Sequence, residues 1–137
     1  MADCIFCKIR DGEVPAHVVL DEDHTFAFLD QRPVFPGHVL VMPRAHHETL
    51  MALPDELVQP LFDATKRVSA AVQRALDTDG VFNGINNVVS QSVPHLHVHV
   101  VPRRFKDGLR GFFWPRQRYD SDEAMASTAE AIRSALA

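Results

Sequence analysis

Histidine alternates with apolar residues in His95-Leu96-His97-Val98-His99-Val100-Val101. A period of two predicts a strand, because an extended chain turns successive side chains to opposite faces. His95, His97 and His99 then share one face, while Leu96, Val98 and Val100 line the other and can bury it. Imidazole is the one side chain whose unperturbed pKa lies near neutrality. A face of three such rings predicts chemistry held by an apolar back.

Two chemistries compete for that row. Residues two apart on a strand lie roughly 6.5–7 Å apart, and those four apart roughly 13 Å. Zinc–nitrogen bonds measure only about 2.0–2.1 Å, so neighbours can converge on an ion but three on one straight strand cannot. One structural member with two catalytic ones fits better. A neutral imidazole attacks phosphorus to form a labile phosphoramidate that water can open. That use needs one ring nitrogen free and the other carrying a proton held by an acceptor. A protonated neighbour can donate to the phosphate or to the leaving group. The plainer reading is a polar surface strand or an incidental metal site.

Composition narrows the partners. The chain has 137 residues, 46% of them hydrophobic, with 14 Lys+Arg against 18 Asp+Glu and a net charge of −4. That length suits one domain, 1–137. An acidic balance argues against nucleic acid and anionic membranes, which need a basic footprint. A small phosphate-bearing ligand remains compatible, since a few local donors can hold it. No apolar run approaches the roughly 20 residues of a membrane span. Nor does the start show a basic segment leading into an apolar one. The expected compartment is the cytoplasm, where two cysteines suggest a metal site, a redox pair or free thiols before a disulfide.

The elements expected around the row are mostly strands. His17-Leu20 and Thr25-Leu29 read as a hairpin, and His38-Met42 as a third strand stopped by Pro43. Pro54 to about Leu76 reads as a helix, with Leu61, Val68, Val72 and Leu76 as its buried stripe. Pro60 predicts a kink or restart within it. Val81-Asn86 and His95-Val101 make the fourth and fifth strands, joined by the linker 87–94. Asp120-Ser121-Asp122-Glu123 offers a capping-box start to a terminal helix carrying Met125, Thr128, Ile132 and Leu136. Segregated strands and few helices predict an α+β fold with an antiparallel sheet.

The triad stretch, with Gln91-Ser92-Val93-Pro94 before it and Pro102-Arg103 after it, resembles the signature of the histidine triad (HIT) family of nucleotide hydrolases and transferases. Gly37-His38-Val39-Leu40-Val41-Met42-Pro43-Arg44-Ala45-His46 is similar to the family's glycine-histidine strand and its Pro-Lys/Arg-x-His. Cys4-Ile5-Phe6-Cys7-Lys8-Ile9 resembles a common bacterial opening of the family, and Ala27-Phe28-Leu29-Asp30 its second strand. The resemblance covers a core over about residues 4–104, with 105–137 as a C-terminal extension, and implies a five-stranded antiparallel sheet with one long helix and a C-terminal helix, continued across a homodimer.

It also implies roles. His97 would be the nucleophile that carries a nucleotidyl group, His99 would bind phosphate and assist proton transfer, and His38 would support both. Gln91 and Ser92 would contact the phosphate or leaving group, Asp30 the ribose hydroxyls, and Phe6 the base. The linker departs from the family pattern: Ser90 replaces a glycine, and Asn86 and Asn87 lie closer to Gln91. Asn86 is the favoured nucleotide contact. Cys4, Cys7, His46 and His95 would hold a structural zinc, with His47 as an alternative ligand. Tetrahedral Cys₂His₂ is a closed arrangement with no place for substrate.

The expected activity is cleavage at the α-phosphate of a purine nucleotide conjugate: a phosphoramidate, a dinucleoside polyphosphate or a nucleotidyl adduct. No cofactor would enter the chemistry. A catalytically silent nucleotide-binding regulator and a zinc-stabilised adaptor are the alternatives. Arg110-Gly111-Phe112-Phe113-Trp114-Pro115-Arg116 reads as a packed loop, or as a segment reaching a partner's site through Trp114 or Arg116.

Overall fold

Near-continuous burial along the central strands sets the architecture in this computed structural model, which describes residues 3–109 and 116–136. Met1–Phe105 and Lys106–Ala137 form two compact units. The first begins with helix α1 (Ile5–Arg10) and strands β1 (Val18–Asp21), β2 (Thr25–Leu29) and β3 (Val39–Pro43). A 3₁₀ turn (Asp55–Leu57), helix α2 (Val58–Leu76) and strands β4 (Gly80–Gly84) and β5 (Val98–Arg103) complete it. Every strand pairing is antiparallel, in the spatial order β1-β2-β3-β5-β4. This is the α+β sheet that the sequence predicts.

Both faces of the sheet are covered. Ala27, Val39, Val41, Val98 and Val100, with Leu96, pack on Leu61, Ala64, Val68 and Val72 of α2. Phe26, Phe28, Leu40 and Met42 point the other way, against Cys4, Phe6 and Cys7. Each such buried Val, Leu, Met or Phe side chain contributes about 1.5–3 kcal/mol by leaving water. Leu61→Ala, at a position with no exposure, would therefore cost about 2–5 kcal/mol. The odd-numbered members of the histidine row face α1, not α2.

Pro60 resolves as a restart. The turn at Asp55–Leu57 ends with Leu57 as the N-cap of α2, so Pro60 falls in the first helical turn. Its missing N–H would have had no partner there in any case. Helix α2 then runs to Leu76 and stops at Asp77, which takes the left-handed conformation with φ of 51°. Gly37 is required where the chain returns towards this helix end. Its φ is 101°, and a Cβ there would stand 2.2 Å from a Leu76 methyl.

Three elements differ from expectation. Strand β5 begins at Val98 rather than His95, because the Leu96 N–H leaves the sheet and donates to the His47 carbonyl at 2.7 Å. His95 and His97 thus precede the ladder, although the alternation of faces continues through them. Strand β4 likewise ends at Gly84, short of Asn86. Helix α1 was not anticipated: six residues capped by the Cys4 sulfur, which accepts the Cys7 N–H, are too few to show a period.

The second unit contains helix α3 (Asp122–Ala135). Ser121 caps it by accepting the Ala124 N–H at 3.0 Å. Alanine stands where a capping box needs an acid, so the cap is one-sided. Met125, Ile132 and Leu136 are exposed. The loop expectation over Arg110–Pro115, including Trp114, lies outside the described residues, and Arg116 is exposed. No described helix is long and apolar enough to cross a membrane.

Candidate functional site

Helix α1, the ends of β2 and β3 and the approach to β5 enclose a cleft of about 660 Å³. Phe6, Asp30, Ser92, His97 and His99 line it. Ile5, Ile9, Phe28, Leu40 and Val93 supply its apolar wall. One end of the cleft therefore suits a flat apolar group and the other a polar, hydrogen-bonding one.

Backbone contacts decide what each imidazole can do. His97 Nδ1 lies 2.7 Å from the His95 carbonyl. A carbonyl only accepts, so Nδ1 carries the proton and Nε2 keeps the lone pair. His38 Nδ1 accepts the Val34 N–H at 3.1 Å, which places the His38 proton on Nε2. That Nε2–H donates to His99 Nδ1 at 2.9 Å, leaving the His99 proton on its own Nε2. The cleft thus contains one nucleophilic ring and, with centroids 5.0 Å apart, one donor ring.

Burial keeps these rings neutral. Removal from water lowers the His97 pKa, against the opposing pull of the His95 carbonyl and Asp30. The same desolvation, reinforced by His97 and His38, brings His99 to about 4 despite Asp30. His38 shifts down as well, chiefly by burial. Asp30 accepts the Arg32 N–H through Oδ1 at 2.9 Å and sets Oδ2 3.7 Å from His38 Nδ1. That second separation is too long for a hydrogen bond, and Asp30 lines the cleft. Phe6 stands edge-on to His97, with centroids 5.0 Å apart and planes at 81°.

His95, two residues earlier, is committed elsewhere. Its Nε2–H donates to the Pro43 carbonyl at 2.9 Å, which leaves Nδ1 as the lone-pair nitrogen. That Nδ1 lies 3.5 Å from Cys4 Sγ and 3.6 Å from Cys7 Sγ, and Cys7 Sγ lies 3.5 Å from His46 Nδ1. The ligating atoms of all four residues fall within 4.8 Å of one another. Zinc–sulfur bonds of about 2.3 Å and zinc–nitrogen bonds of about 2.0–2.1 Å imply tetrahedral edges of about 3.3–3.8 Å. The donor set and its spacing fit a closed zinc centre. The Pro43 bond is the kind of outer contact that would orient His95 as a metal ligand. His47 is not part of this group; it contributes its backbone carbonyl to Leu96 instead.

Two residues are not where the sequence reading places them. Asn86 is exposed and is not among the residues that line the cleft. Gln91 is also absent from the lining, with both ends of its amide bonded to backbone. Asn87, the other asparagine of the linker, accepts the Leu50 N–H through its Oδ1 at 2.8 Å. The doubled Asn86-Asn87 could have flagged a bonded loop, but it gives no means of choosing between the two.

Comparison with known proteins shows the family to which this fold belongs. The chain is 34% identical to the adenosine 5′-monophosphoramidase of Saccharomyces cerevisiae, over 89% of this chain and 76% of the yeast protein. A crystal structure of a HIT family member from Bacillus subtilis superimposes with a TM-score of 0.89 at 34% identity, covering 98% of both chains. A zinc-bound histidine triad family protein from Mycobacterium smegmatis superimposes with a TM-score of 0.74 at 33% identity, over 95% of this chain and 98% of that one. Residues 11–106 match the HIT domain, and the chain belongs to the HIT family.

Proposed function

We propose that this protein is a nucleotidyl hydrolase or transferase acting at the α-phosphate of purine nucleotide conjugates through a covalent intermediate on His97. The carrying observation is the 2.7 Å bond from His97 Nδ1–H to the His95 carbonyl, in a ring that lines the cleft. It leaves Nε2 able to attack. The same carbonyl offsets the positive charge that the ring gains when Nε2 bonds to phosphorus. His99 Nε2–H donates to the phosphoryl oxygen as its charge builds.

For a phosphoramidate the first step forms the His97 Nε2–P bond and breaks the P–N bond. The departing amine takes a proton from solvent at the open end of the cleft, where Ser92 is exposed. Water then attacks phosphorus, gives up a proton, and AMP leaves with the electron pair of the Nε2–P bond returned to His97. Asp30 receives the ribose hydroxyls, and Phe6 with the apolar wall receives the base. The yeast relative's name supports an AMP phosphoramidate as the first substrate to try.

Cys4, Cys7, His46 and His95 would hold zinc, which supplies a structural cross-link and no catalytic position. The reading takes the chain as one domain, because among the described residues after Phe105 one helix is found, α3, and a lone helix has no partner to bury a core against. It also includes a homodimer with a continuous sheet, for which β1 and β4 are the outer strands. Light scattering on the purified chain measures that state.

Incubation with adenosine 5′-phosphoramidate, quenching within a turnover and mass spectrometry of the peptides tests the reaction. A nucleotide mass added to the peptide containing His97 is expected. AMP release without any adduct, or an adduct on another residue, overturns the mechanism. A silent nucleotide-binding protein would bind AMP and release none from the conjugate.

A further inference from the structure

The loop that delivers Ser92 to the cleft is strained. Val88 has φ of 72° and Ser90 has φ of 63°, both in the left-handed region that favours glycine. For a β-branched residue such as Val88 this is a rare and unfavourable conformation. Such a conformation persists only where surrounding bonds over-determine it.

Those bonds come from one segment and two side chains. Gln91 Oε1 accepts the Val88 N–H at 2.9 Å, inside the loop. Gln91 Nε2 donates to the Glu48 carbonyl at 2.6 Å. Asn87 Oδ1 accepts the Leu50 N–H at 2.8 Å. One residue further back, the His47 carbonyl accepts the Leu96 N–H at 2.7 Å. The stretch 47–50 is thus stitched to 87–96 at three points, on either side of Ser92.

We infer that Gln91 and Asn87 are positioning residues: they clamp the strained 87–91 loop against residues 48–50 and thereby hold Ser92 at the cleft, without touching substrate. An amide whose oxygen and nitrogen both serve the backbone has its best geometry already spent. The inference rests on the function proposed above, in that the clamp matters to turnover only if Ser92 meets a phosphate or leaving group.

The test compares Gln91→Ala, Asn87→Ala and the double variant on two substrates. One is adenosine 5′-phosphoramidate, and the other is the 4-nitrophenyl ester of AMP. A clamp lowers kcat/KM by about the same factor, roughly ten-fold, on both leaving groups. Because both side chains hold one loop, the double variant should fall little further than either single one. Amide exchange at Val88 and Leu50 should quicken in each variant while the sheet amides stay protected.

A Gln91→Ala effect that differs more than about ten-fold between the two leaving groups, with exchange at Val88 unchanged, would assign Gln91 to the substrate and overturn the clamp. Should wild-type protein turn over neither compound, the proposed function fails on its own. The exchange measurement then still decides the clamp, which is refuted if Val88 and Leu50 exchange at wild-type rates in both variants.

Discussion

His95 and His97 are two residues apart on the same extended segment, face the same side of the sheet, and do opposite things. His95 spends both nitrogens, one on the Pro43 carbonyl and one among the Cys4 and Cys7 sulfurs. His97 spends one, on the carbonyl of His95 itself, and keeps the other for the cleft. Residue type and face are equal, so they do not decide the role. What decides it is the number of ring nitrogens that the surrounding backbone and thiols consume.

The comparison predicts a clean separation of effects. His97→Ala should lower turnover of a nucleotide conjugate by about 10³-fold or more, since the atom proposed to bond phosphorus is gone. Zinc content of that variant, measured by elemental analysis, should equal that of wild type. Comparable zinc loss in His97→Ala would show that the two rings are not independent.

Cys4→Ser tests the other side. Removing a thiolate from the proposed four-ligand zinc site should cost more than about 2 kcal/mol, seen as a Tm lower by about 5 °C or more with less bound zinc. The rate of the chemical step at a temperature where the variant is folded should change far less than in His97→Ala. Equal melting temperatures, with no zinc in either protein, would dispose of the metal centre.

The periodicity of 95–101 was enough to read a face of histidines, and the apolar stripes were enough to read five strands and α2. Those signals are local and repeat several times, which is why they survive without coordinates. The resemblance, not the spacing, separated His95 from His97, because that separation depends on Pro43, Cys4 and Cys7, all more than 50 residues away in the chain. Helix α1 and the Gln91–Glu48 bond were illegible for a related reason. Six residues show no period, and a side chain reaching a backbone carbonyl 43 residues distant leaves no mark on its neighbours.

A finer contrast lies between His97 and the ring that prepares its partner. His38 passes the Val34 N–H on one nitrogen into a donor bond to His99 on the other. His38→Ala should lower kcat by roughly 10–100-fold, as His99 loses the contact that keeps its proton on Nε2. His38→Gln should recover part of that loss, because its side-chain N–H can replace the donor to His99 Nδ1 although nothing then accepts from Val34. If Gln and Ala prove equally slow, the relay is not what holds His99 in its tautomer.

The smallest expected effect is on pH dependence, and its sign follows from His99. That ring faces His97, His38 and Asp30; burial, then the two neighbouring rings, bring its pKa in the folded chain to about 4. Unfolded, it would titrate near 6.5. Between those values the unfolded state binds the proton and the folded state does not. The stability that neutral His99 contributes is therefore whole above about pH 6.5 and declines as pH falls towards about 4. Denaturant titrations of wild type should show stability declining over that window, and His99→Asn should flatten the decline. An equally steep decline in His99→Asn would mean that the burdened group is another of the buried rings. Because that loss is gradual, turnover should hold level from pH 8 to about 6 and fall only below it, whereas a rate already halved at pH 7 would contradict neutral, buried rings in the cleft.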